Sequence, residues 1–159
     1  MSKRNLNVGH KLERDVVNLI NKRVLNDPNI KTKDIRGIPD SMFSILPKLG
    51  TTRELSRALD SRKVDITTIS FERRHEFPYL LQTKSLCGGA ANYPLFLSEI
   101  RENNSNGIPV FIHQQTFKKV TKSRTEFHVK DEFACMYLQD FIDMILKIAE
   151  LKQKLKENE

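Results

Sequence analysis

Four side chains carry the chemistry open to this chain. Asp65 sits in a β-branched apolar run over residues 64–69, with Val64, Ile66 and Ile69. Gln82 and Lys84 close a second apolar run that holds Phe77, Tyr79, Leu80 and Leu81. Between the runs lies the charged stretch Glu72, Arg73, Arg74, His75, Glu76. Two strand-length runs around a water-seeking segment predict a hairpin. Side chains alternate along a strand, so Gln82 and Lys84 share a face. Pairing the strands brings a carboxylate, an amide carbonyl and an ammonium to one end of a sheet. Oxygen ligands suit a hard divalent cation, and a lysine beside it suits hydrolysis of a phosphodiester.

Glu13 is the fourth. Residues 8–25 predict a helix in which Val16, Val17, Ile20 and Val24 fall on one face, widened by Leu12 and Leu19. Glu13 lies near the middle of that face, where a carboxylate needs a cationic partner. The alternative is an exposed first helical turn, where the helix dipole favours acids.

The other elements follow from local signals. Asn26, Asp27 and Pro28 stop the first helix. Residues 41–46 read as a short helix or a buried run, and Asp40 as a turn or N-cap residue rather than part of the site. Residues 51–59 predict a short helix with Arg53 and Arg57 on a neighbouring face, placed to clamp a phosphate. Gly88 and Gly89 lack the further glycines and the Lys-Ser/Thr of a phosphate loop. A helix over residues 94–103 and a buried strand over 108–115 predict a right-handed crossover joining two parallel strands. Residues 117–129 read as a basic loop and an edge strand. His113 reads as a satisfied polar group on the strand before it. Asp131 is expected to cap a last helix over residues 131–159. In that helix Tyr137, Phe141, Met144, Ile148, Leu151 and Leu155 repeat at 4-3-4-3-4, a heptad-like seam whose first half should pack on the sheet and whose end suits another subunit. The expected architecture is α/β: one domain over residues 1–159, a central mixed sheet flanked by helices, and a long C-terminal helix.

Composition narrows the partners. With 38% hydrophobic and 30% charged residues, the chain fits a water-soluble globular protein. It has no apolar run long enough for a membrane span and no apolar signal segment, so a cytoplasmic, intracellular location is expected. Cys87 and Cys135 are too few for a disulfide framework or a zinc site. The formal charge of +7 arises from clusters at Lys3, Arg4, Lys11 and Arg14, at Arg53, Arg57, Arg62 and Lys63, and at Lys118, Lys119, Lys122 and Arg124. Spread in this way, they suit a surface that tracks phosphates.

Residues 8–20 (GHKLERDVVNLI in its core), the segment KVDI at 63–66, LLQTK at 80–84, and the IPVFI strand at 108–112 resemble the PD-(D/E)XK nuclease superfamily. The likeness is greatest to its archaeal-type Holliday-junction resolvases and covers roughly residues 8–115 in element order. The resemblance implies a restriction-endonuclease-like sheet and a Mg²⁺ site, with Mn²⁺ as the substitute ion. Asp65 corresponds to the principal ligand, Gln82 to a second ligand, Glu13 to a second-metal or outer ligand, and Lys84 to the group that orients the attacking water. Two departures stand out: Lys63 and Val64 occupy the place where a proline commonly precedes the aspartate, and Gln82 replaces an acidic residue. The amide carbonyl can ligate but brings no charge. The resemblance further implies a homodimer cutting a four-way DNA junction, with Lys11, Arg14, Arg53, Arg57, Arg62, Lys118, Lys119 and Lys122 on the DNA. A flap or duplex endonuclease with the same core, and a DNA-binding relative without activity, are the competing expectations. A compact, Lys- and Asn-rich chain also suits a phage origin.

Overall fold

The computed structural model describes residues 3–88 and 90–158, with the side chains of residues 3–7 outside that description. The contributions of Lys3 and Arg4 to the first basic cluster, and Gly89, therefore lie outside the described part.

Helix α1 (Lys3–Leu25) begins earlier than the periodicity predicts and ends as expected at Asn26, which takes the left-handed conformation at φ 51°. A four-residue helix α2 (Thr32–Ile35) and a 3₁₀ turn at Asp40–Met42 follow, then the short strand β1 (Leu49–Thr51), which the sequence reading does not contain. Three residues are too few for a periodic signal. Side chains from elsewhere hold β1 in place. Asn21 of α1 donates from Nδ2 to the Leu49 carbonyl and accepts the Leu49 N–H at Oδ1, both at 2.9 Å, so its amide acts as a strand neighbour. Asp40 accepts the Lys48 N–H and pairs with Arg73, a turn role rather than a site role.

The single helix expected over residues 51–59 is two: α3 (Thr52–Leu55) and α4 (Arg57–Ser61), broken at the extended Ser56, whose hydroxyl accepts the Leu59 N–H. Strand β2 (Ile66–Thr68) pairs antiparallel with β1 along its length and with β3 (Tyr79–Cys87) only at Ile66 and Leu81. The hairpin exists, but its second partner is β1. Asn92 caps α5 (Tyr93–Asn103), and Gly107 at φ +115° turns the chain into β4 (Ile108–Val120). A Cβ at Gly107 would lie 2.7 Å from Leu80, so only glycine fits that turn. β3 and β4 are parallel, as the strand–helix–strand order predicts. The loop of the basic segment is confined to residues 121–124, and the edge strand expected at 125–129 is present. β4 runs on to Val120, and β5 (Thr125–Cys135) returns beside it. The last helix, α6, spans Leu138–Glu157 rather than 131–159; Asp131 belongs to β5, and Tyr137 stands at the helix N-cap.

The result is an α/β domain with a five-stranded mixed sheet in the order β1-β2-β3-β4-β5, flanked by helices, with a long C-terminal helix. Val17 packs with Leu49, Ile66, Phe77, Leu81 and Val110 on one face. On the other, Phe96 of α5 stacks on Phe111 with centroids 4.4 Å apart. No side chain of α6 is buried, so its first half does not pack on the sheet. Among the described residues its root is held by Arg101 of α5, which lies 3.8 Å over the Tyr137 ring and pairs with Asp140 at 3.2 Å.

Candidate active site

Asp65 stands one residue before β2, delivered by a tight turn at Lys63, whose φ is +66°. Proline cannot take a positive φ, so that turn excludes proline at position 63. The Asp65 backbone is tied on both sides: its N–H donates to the Leu81 carbonyl at 2.7 Å, and its own carbonyl accepts the Thr52 N–H at 2.9 Å. Its side chain is held from β3, where the Thr83 N–H donates to Oδ2 at 2.7 Å and the Thr83 hydroxyl at 3.3 Å. The other oxygen, Oδ1, has no hydrogen-bond partner among the described residues.

Thr83 therefore separates the two candidate residues on the opposite face of β3. Gln82 is buried, and its Oε1 has no partner. Lys84 is half-buried, and its ammonium makes no hydrogen bond or ion pair among the described residues. The strand alternation expected from the sequence places both on the face that β4 lines with Phe111 and His113.

Glu13 is buried in the middle of α1, not in an exposed first turn. Its Oε1 accepts from Arg53 Nη2 at 3.1 Å. Burial pushes the Glu13 carboxyl up, and the Arg53 hydrogen bond opposes that. Burial also pushes Asp65 up, to about 6; the Thr83 N–H pulls it down, the Glu13 charge raises it, and the Lys84 charge lowers it. The two acids and Lys84 are thus close enough to act on one another. A strongly perturbed acid with named charged neighbours is a mark of a functional site.

The remaining predicted residues divide. Arg14 lies close enough to act electrostatically on Glu13, and Arg53 touches it. Lys11, Arg57 and Arg62 are exposed. Lys118, Lys119 and Lys122 are exposed on the β4–β5 arm, which continues past the last β3 partner, the Cys87–Thr116 pair.

Three neighbours take roles that the sequence reading does not assign to them. Thr83 orients Asp65, and its place between Gln82 and Lys84 was the available signal. Thr52 fastens α3 to the strand by its hydroxyl, 2.6 Å from the Val64 carbonyl. His113 bonds Tyr93 through Nδ1 at 2.9 Å, while its Nε2 is buried without a partner, so it is only half satisfied.

A divalent ion fits this set in part. Two carboxylates converge, and no group of three or more His, Cys, Asp or Glu that could hold a metal occurs among the described residues. The buried Gln82 Oε1 is an acceptor without a partner among the described residues, and burying it uncompensated costs about 1–3 kcal/mol. Mg²⁺ needs few protein ligands because it retains waters, so the free Oδ1 of Asp65 and the Gln82 carbonyl are the oxygens available to such an ion.

Comparison with protein-family models, curated proteins and solved structures gives no match to this chain.

Proposed function

We propose that this protein is a metal-dependent DNA endonuclease of the PD-(D/E)XK type, acting on branched DNA and on four-way junctions first. The observation that carries the reading is the buried Gln82 carbonyl without a partner, one residue along β3 from the Thr83 N–H that holds Asp65. An orphaned acceptor beside a perturbed acid is costly unless something binds there.

In this reading Asp65 and Gln82 hold Mg²⁺, with Mn²⁺ as substitute. Such an ion would supply acidification of a bound water and neutralisation of charge on the phosphate. Thr83 fixes the Asp65 carboxylate so that its free oxygen stays aimed at the site. Lys84, with no partner of its own, donates a hydrogen bond to the attacking water or to the charge that builds on the phosphate. The exposed basic residues Lys11, Arg14, Arg57, Arg62, Lys118, Lys119 and Lys122 contact phosphates, which position DNA rather than read its sequence.

The partner is DNA together with a second copy of this chain. The buried apolar side chains lie between Leu12 and Phe111, whereas Phe117, Val120, Phe127, Val129, Phe133 and a broad stripe of α6 from Leu138 to Leu155 are exposed. Covering them buries on the order of 1,000 Å² per chain, enough for a stable interface. The heptad-like seam of α6 is complementary to itself, which favours a homodimer.

Labelled four-way junction, flap and plain duplex, each with Mg²⁺ and with chelator, test the reading in parent and Asp65→Asn protein. Paired symmetric nicks on the junction, absent from the variant, support a resolvase. Equal cutting of flap or duplex keeps the nuclease and discards the junction preference. Binding without cutting favours a non-catalytic DNA-binding protein, the reading to which the neutral Gln82 points.

A further inference from the structure

Glu13 and Asp65 converge on one place, from α1 and from the entry to β2, but their surroundings differ. Asp65 keeps one oxygen free, whereas Glu13 is occupied by Arg53 at 3.1 Å. That arginine is not a loosely attached surface side chain. It follows Thr52, which is fully buried and bonded twice to the strand that carries the site: N–H to the Asp65 carbonyl at 2.9 Å and hydroxyl to the Val64 carbonyl at 2.6 Å. Arg53 is therefore delivered by a helix start fastened to Asp65 itself. Its side chain is 43% exposed, and a guanidinium has five N–H donors, so it can hold Glu13 and still meet a substrate.

Charge decides what else the cluster accepts. Glu13 and Asp65 are balanced by Arg53 and Lys84, and Gln82 adds nothing. One divalent ion at Asp65 and Gln82 leaves the cluster positive, facing a phosphodiester. A second ion near Glu13 would have to displace the guanidinium or lie against it.

We propose that the Arg53 guanidinium takes the place of a second metal ion, holding Glu13 in an ion pair while its free N–H groups bind a non-bridging oxygen of the scissile phosphate. This rests on the nuclease reading above. The site then works with one divalent ion, and Arg53 is a catalytic residue: it stabilises charge on the phosphate through bidentate-capable donors that a lysine lacks.

Two measurements on the full-length chain test this. Mn²⁺ titration followed by electron paramagnetic resonance, without DNA, should count one ion in the parent. It should count one in Glu13→Gln, none in Asp65→Asn, and a second, weaker ion in Arg53→Ala, where Glu13 is released. Junction cleavage by Arg53→Ala should lose about 100-fold in kcat with KM changed little, and Arg53→Lys should recover only part of it. Arg53→Ala should melt below the parent because buried Glu13 loses its partner, whereas Arg53→Lys keeps the positive charge and, with α3 still anchored through Thr52, should melt close to the parent. Two Mn²⁺ ions in the parent, one of them lost in Glu13→Gln, would overturn the proposal. So would parental kcat in Arg53→Ala while Asp65→Asn is inactive, which leaves the nuclease reading standing. No cleavage by the parent, with Mn²⁺ binding indifferent to Asp65, overturns both.

Discussion

The backbone N–H of Thr83 donates to Asp65 Oδ2 at 2.7 Å, and this bond sets how the two strands meet at the site. It joins the entry of β2 to β3 where the ladder between them is only one residue pair long. It also spends one carboxylate oxygen and leaves the other free. A half-buried acid held in this way is oriented at a cost in desolvation, and that cost is lowered when a cation binds.

Asp65→Asn should abolish cleavage while preserving the fold. The amide oxygen can still accept the Thr83 N–H, but the negative charge is gone. Cleavage assays and thermal melts of the two proteins check this, and parental activity in the variant would remove Asp65 from the site.

Stability should also change with pH through Asp65. Its folded value of about 6 lies above the ordinary 3.8, so the folded chain binds more protons than the unfolded chain between these values. Stability from this group is therefore greatest at low pH and falls as pH rises through that window, by at most about 3 kcal/mol. Glu13, raised as well, has the same sign. Urea titrations at pH 4 and pH 7 in chelator should show this fall in the parent and a smaller one in Asp65→Asn.

Gln82→Glu restores an acid at the second ligand position. In chelator it should destabilise, because a second carboxyl is buried beside Asp65. With Mg²⁺ it should bind the ion about tenfold more tightly, read by calorimetry. A variant with unchanged metal affinity would mean that Gln82 is not a ligand.

Lys84→Ala should lower cleavage by about 100-fold or more and leave junction affinity within about threefold, since one group among many phosphate contacts is lost. Gel-shift and single-turnover measurements separate the two effects.

Phe141→Glu combined with Ile148→Glu should convert a dimer to a monomer. Both side chains are exposed on α6 and outside the core, so the melting temperature of the monomeric domain should be retained. Light scattering decides; a monomeric parent at working concentration would remove the dimer.

Local chemistry alone determined much of this molecule. The period of α1, the two apolar runs around 72–76, Pro94 in the first turn of α5 and the β-branched start of β4 each carry their own signal. They placed Glu13, Asp65, Gln82 and Lys84 on the right elements, because alternation and helical period are properties of the backbone. The tertiary structure alone decided what those residues meet. β1 exists because Asn21 reaches it across 28 positions of sequence, and Arg53 meets Glu13 across 40. The extension of β4 and β5 past β3, and the departure of α6 from the sheet, were hidden for a related reason. An apolar stripe states that a face must be covered, but not whether its own chain or a second copy covers it.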